Sequence, residues 1–403
     1  MATNWAGITI AQLSGTEQLP FLQYVLSNPT ETQFLRGVAG SGKTLVAAFA
    51  LAELQGNQNI GLLVFTNMLD QYIRQNFGDR SASLEVDHYH TWEQKIPLVK
   101  RNIFIVDEAQ DFQKEWIDKL KANSLSQIWI GDIQQQIFSA AVRDRGFINE
   151  VNSLKESQKT FIFSINYRNS LSIARLASNF ITVTQDDIDA GITREKKNDD
   201  FIAPMLKGNR QRNESPVTLF KAESIDQEYK AIAKLIRQIQ SNKELKSRRI
   251  AVAHMIYRNV KHTVDISIDR ISDELTKEGI SHYKKEKNFN QKELPDFTDD
   301  NLVVVSPISS LKGLEFDFIF FPHSEYANLW SDPFVRDNLL FVLFTRAKQR
   351  VYCSYVDEQS SYVWDRIKDE RDLDEYIVKN DAKDILNPSS GNSNTTSPNV
   401  INI

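Results

Sequence analysis

Residues 37–44 read GVAGSGKT, placing Gly37, Gly42, Lys43 and Thr44 on the fixed positions of a glycine-rich phosphate loop, with Gly40 inside it. The loop follows a short apolar run and opens LVAAFALAEL, a stretch of strong helix formers. Backbone N–H groups in such a turn, backed by the positive end of a helix, suit a polyphosphate. Lys43 is then placed to reach β- and γ-phosphates, and the Thr44 hydroxyl to bind Mg²⁺. A second constellation stands at IFIVDEAQDF, where four apolar residues run into Asp107 and Glu108. That pattern describes a buried strand delivering two carboxylates at its C-terminal end, where ligands sit in open α/β sheets. Asp107 can hold Mg²⁺ through water, and Glu108 can orient and deprotonate an attacking water. The blander readings are a loop that only turns a corner and acids that only complement a helix N-terminus. The presence of both motifs in one chain argues against each of them.

These groups need elements to position them. Short apolar runs alternate with helical patterns, which predicts parallel sheets with crossover helices, an α/β fold. In the first half the runs predict strands at 32–37, 60–66, 102–107, 127–131 and 159–163. The pattern restarts with strands at 216–221, 249–254, 302–305, 316–321 and 351–355, and helices at 225–241 and 265–278. The segment 184–214 reads as a long polar surface excursion, and 284–300 is similar. The tail, rich in Asn, Ser, Thr and Pro, reads as disordered. The expected organisation is a first domain over 1–155, a second over 156–385 and a tail over 386–403. One phosphate loop for two α/β halves leaves two arrangements: a nucleotide-binding half beside an unrelated one, or two halves clamping a single nucleotide.

Composition bounds the rest. A net charge of −5 on 403 residues argues against general coating by nucleic acid but leaves room for a local basic groove. Basic runs occur at Arg194–Lys197, Lys207–Arg212, Lys246–Arg249 and Lys284–Lys287, and each reads first as a solvated loop or helix end. The single cysteine, Cys353, makes an intramolecular disulfide impossible and fits a reducing cytoplasm. No apolar run is long enough to span a bilayer, and MATNWAGITIAQ has no basic-then-apolar leader, so a cytoplasmic protein without membrane contact is expected. His88 and His90 alternate on a strand-like segment with no cysteine or third histidine nearby, so a metal cluster is not expected there.

Taken together, the motifs resemble those of superfamily 1 nucleic-acid helicases, the group that includes UvrD, Rep and PcrA. GVAGSGKT resembles motif I, LLVFTN (62–67) motif Ia, HYHTW (88–92) motif Ib and DEAQD (107–111) motif II. IGDIQQQIF (130–138) resembles motif III, NYRNS (166–170) motif IV, LKGLEFD (311–317) motif V and LLFVLFTRAK (339–348) motif VI. The resemblance implies two RecA-like domains of the P-loop NTPase class with ATP and Mg²⁺ in the interdomain cleft. It implies adenine recognition by Gln18 and stacking by Tyr167, γ-phosphate sensing by Gln135, and ribose and strand contact by Glu315. It also implies that Arg168 and Arg346 reach the γ-phosphate from the opposite half, a contribution worth about 10³–10⁵ in rate where an arginine is so supplied. Phe65, Thr66, Asn67, His90 and Phe138 correspond to contacts with a single strand, where a base stacks without sequence preference.

The chain departs from that family at four places. Ala140 stands where relatives often carry a base-stacking tryptophan, Pro307 and Ser309 where motif V usually reads T-x-H, and Leu45 where an arginine is common. The spacing of the motifs leaves no room for the large insert that relatives carry in each core domain, so a compact motor core is expected. The function implied is ATP-driven movement on single-stranded or tailed DNA in the 3′→5′ direction. RNA stays open, because backbone and stacking contacts need not read a 2′-hydroxyl. The alternative is a nucleic-acid-stimulated ATPase switch, acting with a partner such as a nuclease in DNA repair or anti-phage defence and unwinding little itself.

Overall fold

The computed structural model describes residues 4–5, 7–77, 84–95, 98–138, 144–156, 159–207, 217–255, 268–285, 294–329, 332–356, 361–370 and 373–387. The chain divides into two compact units, Met1–Arg168 and Asn169–Ile403. Among the described residues, no helix is long and apolar enough to cross a membrane.

The first unit opens with an antiparallel ribbon of β1 (Asn4–Trp5) and β2 (Ile8–Thr9). Six parallel strands follow: β3 (Gln33–Gly37), β4 (Ile60–Val64), β5 (Val86–His88), β6 (Arg101–Val106), β7 (Ser124–Gly131) and β8 (Thr160–Phe163). Their spatial order is β5-β4-β6-β7-β3-β8. Every residue of β4 and the last four of β6 are buried, as expected for strands covered on both faces. The helix Lys43–Leu54 is apolar on nearly all sides, and Val46 through Leu51 all lie inside. Phe34, Trp92, Phe104, Val106 and Trp129 form part of the core on which this sheet rests.

Residues 159–163 do form a strand, but it joins the first sheet. β8 pairs with β3 from Phe34↔Thr160 to Gly37↔Phe163, so the division falls after Arg168, not at 155/156. An apolar run specifies a strand without naming its partner, and here β3 had an open edge to fill.

The second unit holds seven parallel strands: β9 (Val217–Lys221), β10 (Ile250–His254), β11 (Tyr283–Lys284), β12 (Val303–Pro307), β13 (Phe316–Phe321), β14 (Ala347–Tyr355) and β15 (Ile377–Asp381). Their order is β11-β12-β10-β13-β14-β9-β15. The helix Ile225–Ser241 begins where Ser224 accepts a hydrogen bond from Gln227 N and carries Asp226 and Glu228 in its first turn. The helix Pro333–Phe344 is capped by Asp332, has proline in its first turn, and runs directly into Thr345 and Arg346.

The 184–214 excursion is corrected over its described part. It carries the helices Gln185–Asp189 and Arg194–Lys207, and Phe201 is buried with its ring 5.4 Å from Phe341. The longer helix opens on the polar REKKNDD, and Phe201, at the start of the apolar run that follows, makes the docking contact. Residue 386 closes the helix Ala382–Leu386 and is not part of the tail; 388–403, like Arg210, Arg212, Lys287 and Ala140, lie outside the described residues.

Candidate functional site

All strands of the first sheet run the same way, so their C-terminal ends share one edge. After β3 comes the glycine-rich loop. Gly40 and Gly42 have φ of 74° and 85°, a left-handed backbone that side chains resist. A Cβ on Gly40 would also stand 2.9 Å from Arg168 Cβ. Lys43 is buried and its ammonium is folded back onto the loop, donating to Gly37 O at 2.6 Å and Val38 O at 3.1 Å. Ser41 Oγ is buried in the loop without a hydrogen-bond partner. The Gln18 amide braces this turn, donating to Ser41 O at 2.8 Å and accepting from Ser14 N at 2.9 Å.

After β6 come the two acids. Thr44 Oγ1 donates to Asp107 Oδ2 at 2.7 Å, which ties the loop to the acid pair. Asp107 and Glu108 are both buried. Burial and the adjacent Glu108 raise the Asp107 carboxyl, against the pull of Thr44 and Lys43. Glu108 itself adopts φ 55°, a strained conformation for a residue with a side chain. Two buried carboxylates beside a threonine hydroxyl form an oxygen set that suits a hard divalent cation. The unpartnered Ser41 hydroxyl and the Lys43 ammonium turned onto the loop carbonyls suit an anion.

The end of β7 turns through Asp132, whose Oδ2 accepts from Gln135 Nε2 at 3.1 Å. The segment after β8 brings in NYRNS: Tyr167 N donates to Gly40 O at 2.8 Å, and Arg168 N to Asn166 Oδ1 at 2.9 Å. The first unit therefore gathers Gln18, Gly37, Gly40, Gly42, Lys43, Thr44, Asp107, Glu108, Gln135, Tyr167 and Arg168 at one sheet edge. The expectation that Arg168 comes from the opposite half is corrected, because β8 carries it into the first unit.

The same edge holds the expected strand contacts. Thr66 caps the helix Asn67–Asn76, accepting from Leu69 N. His90 lies in the short helix Tyr89–Glu93 and not on a strand; its side chain is 48% exposed and 3.7 Å from Glu93. His88 donates to Phe65 O at 2.9 Å. The Phe65 ring lies 4.6 Å from Phe138 and 6.5 Å from His90. Trp116 completes this group, 6.1 Å from Phe65 and 5.1 Å from His90. Sequence reasoning passed over Trp116. The available signal was an aromatic residue on the helix Lys114–Ala122 at a position outside its buried pair, Ile117 and Leu120.

In the second unit Glu315 and Arg346 immediately precede β13 and β14, so they lie at the N-terminal edge of that parallel sheet. Arg346 is buried and donates to Val342 O at 3.1 Å and Leu314 O at 3.4 Å. Glu315 is ion-paired with Lys348. Pro307 ends β12, and Ser309 lies in the 3₁₀ turn that follows.

The opposite edge of that sheet holds a polar cluster that sequence reasoning also missed. Glu228 and His323 are buried and 2.6 Å apart, and His323 Nε2 lies 2.6 Å from the Tyr229 hydroxyl. Against the effect of burial, His323 holds Glu228 below the usual carboxylate range. Burial, with His323 nearby, brings His254 down to about 3. Burial and Glu228 together raise Glu325.

No protein-family model and no curated protein matches the sequence. Among solved structures, the chain is similar to the C-terminal domain of a possible DNA helicase from Lactobacillus plantarum WCFS1. Identity is 15% and the TM-score 0.33, over 54% of this chain and 99% of that one, a likeness too slight to carry a role from one chain to the other.

Proposed function

We propose that the chain is an ATP hydrolase of helicase type that moves on single-stranded or tailed DNA in the 3′→5′ direction. The observation that supports this reading best is convergence. Phosphate loop, acid pair, Gln135, Tyr167 and Arg168 come from four separate strand ends and meet at one edge of one sheet. Gln18 and Tyr167 would hold the adenine, Glu315 the ribose, and the loop with Lys43 the phosphates. On nucleotide arrival Lys43 would exchange the carbonyls of Gly37 and Val38 for phosphate oxygens. Thr44 and Asp107 would hold Mg²⁺, which neutralises phosphate charge when bound. Glu108 would orient and deprotonate the attacking water, and Gln135 would register the γ-phosphate. Arg168 and, from the second unit, Arg346 would offset charge that develops during transfer. Phe65, Thr66, Asn67, His90, Phe138 and Trp116 would contact the strand.

Pro307 and Ser309 favour a second reading, because they replace the T-x-H of motif V. In that reading the chain is an ATPase switch stimulated by nucleic acid and acts through a partner such as a nuclease. ATP hydrolysis measured with and without single-stranded DNA or RNA, followed by strand displacement on tailed duplexes, separates the two. Stimulated hydrolysis with displacement supports the motor, and stimulation without displacement selects the switch. No hydrolysis under any condition overturns both.

A further inference from the structure

Gln110 lies three residues beyond Asp107, with 0% of its surface exposed. Its side chain bridges two strand ends. Oε1 accepts from Asp132 N, at the end of β7, at 3.0 Å. Nε2 donates to Glu108 Oε2, at the end of β6, at 2.6 Å. The backbone N–H of Asp132 can only donate, so it fixes which end of the amide is oxygen and directs the NH₂ to Glu108. The backbone carbonyl of Gln110 meanwhile accepts from Gln136 Nε2 at 2.5 Å. The fit is close: a Cβ added to Gly131 would stand 2.6 Å from Gln110 Oε1 and 3.3 Å from Gln110 N.

We propose that Gln110 is a positioning residue that aims the Glu108 carboxylate and ties that aim to the turn 132–136; this rests on the reading of Glu108 as the water-orienting base. Three features support it. Glu108 has a strained left-handed backbone, φ 55°, so its direction needs an external hold. A primary amide offers both N–H donors and a carbonyl acceptor on a single neutral plane, so it joins the two strand ends without adding charge beside Asp107 and Glu108. The turn it grips also holds Gln135, through Asp132 Oδ2 at 3.1 Å, so a shift of that turn reaches Glu108 through one side chain.

The test compares unaltered protein, Gln110→Met, Gln110→Asn, Glu108→Gln and Gln110→Met/Glu108→Gln in single-turnover and steady-state ATP hydrolysis, with nucleotide binding and thermal unfolding measured on each. Misplacing a reacting group by about 1 Å can cost on the order of 10²-fold. A loss of that order in kcat is therefore expected for Gln110→Met, with KM and nucleotide affinity nearly unchanged. Adding the change to Glu108→Gln should cost nothing further, because groups acting as a unit are not additive. Gln110→Asn keeps the amide but is too short to span both partners, so it should lose kcat alike and decides the matter if the Met variant does not fold. Unaltered kcat in a folded variant, or an equal further loss in the Glu108→Gln background, overturns the proposal. Absence of hydrolysis in the unaltered protein would instead overturn the functional reading beneath it.

Discussion

At the scale of single residues, the site turns on groups placed where the backbone or the surroundings oppose them. Glu108 occupies a left-handed backbone position, and the Asp107 carboxyl is pushed up by burial and then by Glu108 beside it. Such strain persists only where neighbouring bonds enforce it, and here Thr44 and Gln110 supply them. Glu108→Gln keeps the shape and removes the base. General-base groups contribute about 10²–10⁴ in rate, so kcat for ATP should fall by that factor while nucleotide still binds. Rapid-quench hydrolysis beside equilibrium binding of a fluorescent nucleotide reads both quantities. Retained turnover in a preparation free of other ATPases would remove Glu108 from its role.

At the scale of elements, the helix Lys114–Ala122 follows the acid motif directly and turns Trp116 towards Phe65 and His90. A stacked base is worth about 1–3 kcal/mol, so Trp116→Ala should weaken binding of a single-stranded oligonucleotide by roughly 5- to 150-fold, leaving nucleotide affinity alone. Fluorescence anisotropy of a labelled oligonucleotide measures this, and unchanged affinity would confine Trp116 to packing. The loop, the acid pair and the strands around them are legible in the sequence because each is local: a fixed spacing, or an unbroken apolar run. Other elements are not local. β11 is only Tyr283–Lys284 and β15 is a polar IVKND, and both become strands through the backbone of β12 and β9 beside them. Trp116, Gln110 and the Glu228–His323 pair escape notice for the same reason, since each derives its meaning from partners brought in by pairing of distant strands. The placement of β8 and Arg168 in the first unit is likewise a matter of which sheet edge stood open.

At the scale of the whole molecule, the two units carry separable sensitivities. In the second, His254 is held neutral well below its ordinary value of 6.5, at about 3. The unfolded chain then binds the extra proton, so this stabilisation is complete above about pH 6.5 and is lost as pH falls towards 3. Glu325 is shifted the other way, upwards from 4.5. Its folded form keeps a proton that the unfolded chain has released, so its contribution is present at low pH and lost as pH rises through the raised value. The two oppose each other in mildly acidic solution. Glu325→Gln still accepts from Val356 N and removes only one of them. In that variant, denaturant unfolding should show a further loss of about 2 kcal/mol between pH 6.5 and 5 relative to the unaltered protein, at about 1.4 kcal/mol per pH unit. Parallel pH profiles for both proteins would deny the opposition.

The larger question at this scale is whether both units serve one nucleotide, and Arg346 is the residue that answers it. It belongs to the second unit, while every residue of the glycine-rich loop belongs to the first. It is buried, and its guanidinium donates to two backbone carbonyls, Val342 O and Leu314 O, so a role in holding its own unit together is a serious rival. The rival predicts that Arg346→Ala lowers the unfolding midpoint of the second unit and leaves the hydrolytic rate of folded molecules intact. A shared nucleotide predicts a fall of about 10³–10⁵ in kcat, with nucleotide affinity of the first unit changed only a few-fold. Arg346→Lys sharpens the distinction. An ammonium keeps the charge but lacks the planar fork that addresses two acceptors at once, so the rate should fall nearly as far as with alanine. Measured on protein verified as folded at the assay temperature, hydrolysis close to the unaltered rate in both variants would confine ATP turnover to the first unit and leave the second without a part in it.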